Sequence, residues 1–123
     1  MKYETKTIQI GDRKLKADVA DTMMKRARGL SGRKALGLGK CMLFIFPYKA
    51  IYPIWMRGMK FPIDIIWLDE KKHITDFRTD LKPAHGPLVF KTYSHEGSAK
   101  YAIELPAGFI KKNRVKANSK VKF

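Results

Sequence analysis

The residues best placed to do chemistry lie in and around two apolar runs. Asp64 interrupts the run Phe61–Leu68, FPIDIIWL, whose other members are all apolar or proline. In a strand, Ile63, Ile65 and Trp67 point one way and Asp64, Ile66 and Leu68 the other. A carboxylate in that setting costs several kcal/mol unless donors or a cation meet it. Asp64 therefore reads in two ways. It is an acid facing a ligand or metal in a pocket, or an acid satisfied by backbone N–H groups or by Arg28, Arg33 or Arg57. The segment Trp55-Met56-Arg57-Gly58-Met59 sets an Arg two residues from a Trp. On a regular strand the two share a face, which suits an anion or a stacked base. The plainer reading keeps Trp55 and Met56 in the core and pairs Arg57 with Asp64. Arg26, Arg28 and Arg33, with Lys25 and Lys34, form a third group. They make either an anion site around a short capped helix or a solvated basic face.

Other candidates are weaker. Glu104 lies in an apolar stretch, and with Asp64 or alone it offers a general acid or base in a pocket near Trp55. Cys41 is the only cysteine, so no intramolecular disulfide forms. It opens an apolar run and reads as a small core residue rather than a nucleophile served by His73, His85 or His95. Those histidines have no short ligand spacing, so no zinc site is expected. Gly37 and Gly39 lack the Gly-Lys-Ser/Thr context of a phosphate loop. Nothing in the sequence calls for a cofactor.

Charge is the strongest compositional feature. The chain has 123 residues, with 26 Lys and Arg against 11 Asp and Glu, a net +15. Residues 13–40 hold nine basic and two acidic residues, and residues 110–123 six basic and none acidic. If the two segments meet, they form one positive face for phosphates, nucleic acid or another anionic ligand. If they do not, the charge serves solubility alone. No apolar window reaches the ~18 residues of a membrane helix, and the N-terminus has no apolar signal core. A soluble cytoplasmic protein is the expectation.

The elements that must position these groups are short. Residues 1–123 read as a single domain. Thr5–Ile10 and Leu15–Val19 alternate around Gly11-Asp12, an opening hairpin. Asp21-Thr22 can cap a helix in which Met23, Ala27 and Leu30 share a face. Cys41–Phe46 and Phe61–Leu68 read as strands buried on both faces, with Pro47 ending the first. His73–Thr79 follows as a hairpin partner. Val89-Phe90 reads as a short extended piece, Tyr101–Leu105 as a late strand, Phe109–Arg114 as a helical turn and Val121–Phe123 as an edge strand. The fold class is α+β: a compact, mainly antiparallel, strongly bent sheet or small barrel with one or two short helices.

These blocks together resemble the uncharacterised family known as domain of unknown function 192. The carrying residues are Asp21-Thr22, Lys25 through Leu30 and Arg33, then Met42 through Pro47. Trp55-Met56, Phe61 through Ile66, and Ala102 through Gly108 complete them. Cys41, Met59 and Asn118-Ser119-Lys120 depart from the pattern. The resemblance implies a compact, mainly β fold with short helices and no established reaction. Two functions follow from the residues. The first is a non-enzymatic module binding an anionic ligand, with nucleic acid one candidate, through Arg26, Arg28, Arg33, Arg57, Trp55 and Asp64. The second is an enzyme using Asp64 or Glu104 as acid or base. A structural or protein-interaction domain is the remaining alternative.

Overall fold

A computed structural model describes residues 1–123. The chain begins with strands β1 (Thr5–Ile10) and β2 (Arg13–Ala20), paired antiparallel across Gly11-Asp12. Gly11 has φ +60°, the conformation that so short a link demands. Helix α1 (Met23–Arg28) then crosses over to β3 (Lys40–Ala50), which lies parallel to β2. The Thr22 hydroxyl accepts from Lys25 N–H and caps α1. The helix stops at Gly29, whose φ is +51° and whose missing side chain leaves room for the Phe44 ring. The two-strand ribbon β4 (Ile54–Trp55) and β7 (Thr92–Tyr93) stands apart from the main sheet. Between them run β5 (Ile63–Leu68), β6 (Ile74–Leu81) and a 3₁₀ turn over Gly86–Phe90. Strand β8 (Ala99–Pro106) and the single turn α2 (Phe109–Lys112) follow.

The main sheet has the order β1-β2-β3-β8-β5-β6. Strand β8 inserts between β3 and β5 and is antiparallel to both. All six residues of β5 are buried, because apolar clusters cover both faces of the sheet. One cluster holds Cys41, Leu43, Ile66, Leu68, Ile103 and Leu105. The other holds Met42, Phe44, Ile63, Ile65, Trp67 and Ala102, so successive residues of each strand alternate between the two.

The sheet is mixed but mainly antiparallel as expected, since only β2 and β3 run parallel. Four expectations need correction. The sheet is open rather than a barrel, because β1 and β6 do not pair with each other. Residues 118–122 lie between those edges and make only isolated bridges, Gln9 to Lys122 and His73 to Lys120. Pro47 does not end β3. The register shifts between Ile45 and Ala50, and the irregularity accommodates a residue without an N–H. Met23 is 79% exposed and Ala27 is also exposed, so the helical stripe is not a core face. Only Leu30, beyond the end of α1, is buried. Val89-Phe90 is part of the 3₁₀ turn rather than extended.

Asp64 ties this architecture together. Its Oδ1 accepts from Asp80 N–H at 2.8 Å and Gly108 N–H at 3.2 Å, and its Oδ2 from Ile110 N–H at 2.9 Å. One fully buried carboxylate thus joins β5 to the end of β6 and to the turn entering α2. Replacing it strands three backbone donors, each costing about 1–3 kcal/mol when left unpaired. Asp64→Ala is therefore expected to lose at least about 3 kcal/mol in a urea melt. A loss below about 0.5 kcal/mol would rule out this role.

Candidate functional site

A cavity of about 330 Å³ opens between α1, β4, β7 and the face of the sheet. Arg26 and Arg28 reach it from α1, and Trp55 and Arg57 from β4 and the turn after it. Leu30, Phe44, Pro53, Ile54 and Met59 supply apolar walls. Glu104 on β8 completes the lining.

Local structure holds the three guanidiniums in different ways. Arg26 donates to the Ile45 carbonyl at 3.0 Å, which anchors it to β3. The Arg57 guanidinium lies 5.4 Å from the Trp55 ring centre and 5.7 Å from that of Phe90. Both distances suit a cation–π contact. The turn carrying Arg57 is fastened to the segment after α1. Ser31 Oγ donates to the Arg57 carbonyl, and Gly32 N–H donates to the Gly58 carbonyl. Gly58 has φ +76°, and a Cβ there would collide with Ser31 Oγ. None of Arg26, Arg28 and Arg57 forms a salt bridge.

Glu104 is the most unusual group in the cavity. Its register partners are Met42 on β3 and Ile65 on β5, both wholly buried and apolar. The residue itself is 7% exposed. No salt bridge reaches its carboxyl. Loss of hydration pushes its pKa up to about 7, because burial disfavours the charged form.

The other sequence candidates lie elsewhere. Asp64 is spent on backbone donors, and it cannot form an acid pair with Glu104. Leu105 is opposite Asp64 in the β5–β8 register, so Asp64 and Glu104 project from opposite faces of the sheet. Arg33 bonds Asp18 at 2.9 Å and lies 5.1 Å from the Tyr3 ring centre, beside a separate cavity. Cys41 sits in the core, and burial, aided by the nearby Asp18 charge, pushes its thiol up to about 12. That leaves essentially no thiolate near neutrality. His95 packs on Trp67 at 4.6 Å between ring centres and accepts from Tyr52 N–H. No group of three or more His, Cys, Asp or Glu side chains is arranged to hold a metal ion. No helix is long and apolar enough to cross a membrane. The basic tail contributes nothing to the Arg26–Arg28–Arg57 cavity. It meets the other basic segment elsewhere, where Arg13 donates to Asn113 Oδ1. Ser31, Phe44, Pro53 and Thr92 also line the cavity. Nothing in their local sequence marks them, because the crossover alone brings them together.

An open six-stranded mixed sheet, a short crossover helix and a side cavity define the class. Residues 6–123 match DUF192, described as Uncharacterized ACR, and the chain belongs to that family. It is 35% identical over 98 residues to a UPF0127 protein of Thermococcus kodakarensis, covering 78% of this chain and 57% of that protein. A UPF0127 protein of Pyrococcus abyssi is 33% identical over 110 residues, covering 88% and 86% respectively. The chain thus spans little more than half the length of the Thermococcus kodakarensis relative and most of the Pyrococcus one. Two crystal structures share the fold at low identity. One, from Sinorhizobium meliloti and described as a candidate transcription regulator, has a TM-score of 0.91 at 19% identity, covering 99% of this chain and 95% of that one. The other, a protein of unknown function from Novosphingobium aromaticivorans, has a TM-score of 0.86 at 20% identity, covering 97% and 85%.

The Glu104 environment sets a pH dependence of stability. Its carboxyl ionises at about 7 in the folded state against 4.5 ordinarily. Between those values the folded chain binds more protons than the unfolded chain. Stability from this group therefore falls as pH rises from 4.5 to about 7, then levels off. Glu104→Gln removes the titration. It should match the parent near pH 4.5 and exceed it above pH 7, by up to about 3 kcal/mol. Paired urea melts across that range check this. A constant difference between the two proteins would refute it.

Proposed function

We propose that this protein binds a small organic anion in the Arg26–Arg28–Arg57 cavity, as a module that need not transform it. The carrying observation is that three guanidiniums without carboxylate partners line one cavity beside the half-exposed Trp55. Guanidiniums hold carboxylate, sulfonate or phosphate oxygens through paired N–H donors. The apolar walls and Trp55 suit a flat body attached to the anion. A cavity of about 330 Å³ is at the small end of ligand pockets, so one compact ligand fills it. Arg33 and Asp64 are left out, because each is already satisfied elsewhere.

Naphthalene-1-sulfonate is a simple probe, followed by Trp55 fluorescence. Arg57→Ala and Arg28→Ala should each weaken its binding about tenfold or more, the loss of a charge-assisted contact. Arg33→Ala should change it less than about twofold. Equal weakening by all three variants would reduce the effect to general charge and defeat the reading. A labelled single-stranded oligonucleotide tests the nucleic-acid form of the proposal. Binding through this cavity should weaken steeply with salt and be lost in Arg57→Ala.

A second reading, acid–base catalysis by Glu104, is favoured by an ionisation near neutrality in the same cavity. Its mark is turnover of 4-nitrophenyl phosphate that Glu104→Gln abolishes. Turnover that survives Glu104→Gln would exclude it.

A further inference from the structure

The cavity sets a buried acid among cations that do not neutralise it. Glu104 has no ion-pair partner, and it lines the same space as Arg26, Arg28 and Arg57. The elements packed around it bring no other charge to the cavity. Strands β3 and β5 present Met42 and Ile65, β7 presents Thr92, α1 presents Arg26 and Arg28, and the turn after β4 presents Arg57. An anion held by the guanidiniums therefore arrives beside an acid that is either ionised and repulsive or neutral and able to donate.

We propose that anion entry is proton-linked: Glu104 is neutral in the complex and donates a hydrogen bond to the ligand, so an anion that enters while Glu104 is ionised brings one proton from solvent. This rests on the reading of the cavity as an anion site. The physical basis is reciprocal coupling. If a neutral carboxyl favours the anion, the anion favours the neutral carboxyl by the same factor. A carboxyl that already ionises near neutrality needs no large perturbation to respond. The bound proton completes a neutral acid, the carboxylate accepting it at one oxygen. The ligand class follows: permanently charged oxyanions such as sulfonates and sulfate esters are taken up with about half a proton each at pH 7 and nearly one at about pH 8. An ammonium-bearing ligand would expel that proton instead.

Calorimetric titration with naphthalene-1-sulfonate tests this, because the probe does not titrate near neutrality. Affinity should fall roughly tenfold between about pH 6 and about pH 8. Comparison of buffers with different ionisation heats should show proton uptake rising from near zero to nearly one per anion over the same interval. Glu104→Gln keeps a donor without an ionisation, so it should bind as the parent does at the lower pH and lose most of the pH dependence. A pH fall that persists in Glu104→Gln would assign the proton to another group and overturn the inference. Binding of unchanged strength across the pH range would also overturn it while leaving the anion site standing. No binding at any pH would remove both. Carboxyl ¹³C NMR of the unliganded protein is an independent check: a resonance lost in Glu104→Gln should titrate near neutrality and move upward with the probe, and an ordinary glutamate titration would overturn the inference.

Discussion

The insertion of β8 between β3 and β5 is the constraint on which the rest depends. It turns two apolar strands that are near in sequence into neighbours of a third from late in the chain. Two apolar layers then cover the sheet, and every side chain of β5 is enclosed. The same insertion sets Met42, Glu104 and Ile65 in one row across three strands. Hydrocarbon on both sides of a carboxyl is what displaces its ionisation. Asp64, one strand away and on the other face, meets the opposite treatment, because three backbone N–H groups serve it. Two buried acids in one sheet thus do different work. One holds the frame, and the other is left facing a cavity.

The cavity is a product of the crossover from β2 to β3. Helix α1 has too few residues to bury a stripe, and its contribution is the placement of Arg26 and Arg28 over the sheet. The ribbon β4–β7 brings Trp55 and Arg57 from the other side. Hydrogen bonds from Ser31 and Gly32 to the Arg57–Gly58 backbone hold the two halves at a fixed spacing. Cations gathered on a rim around apolar walls raise the local concentration of anions before any contact is made.

The opening hairpin was legible because Gly11-Asp12 joins two alternating runs and nothing distant competes. The burial of Ile63–Leu68 was legible because no polar face interrupts it except Asp64. Arg26, Arg28, Arg57 and Trp55 could be named as candidates from residue type, and the structure brings them together around one cavity. Arg33 has the same residue type, yet it turns away to Asp18 and Tyr3. Only tertiary geometry separates them. Periodicity places Glu104 on a strand face, but it does not show that a cavity opens over that face. The open sheet was obscured for a similar reason. Val121–Phe123 reads as an edge strand, yet this end of the chain makes only isolated bridges, Gln9 to Lys122 and His73 to Lys120, without a full ladder.

Strand order also has a temporal side. On the ribosome, β3 and β5 emerge well before β8, so the middle of the sheet stays vacant until residues 99–106 are synthesised. Until then two hydrophobic flanks face each other across a missing neighbour, a condition that invites capture by chaperones or by another nascent copy. Arrival of the late strand closes that gap and creates the buried acid in the same event, so assembly of the native centre and birth of its proton-binding group coincide.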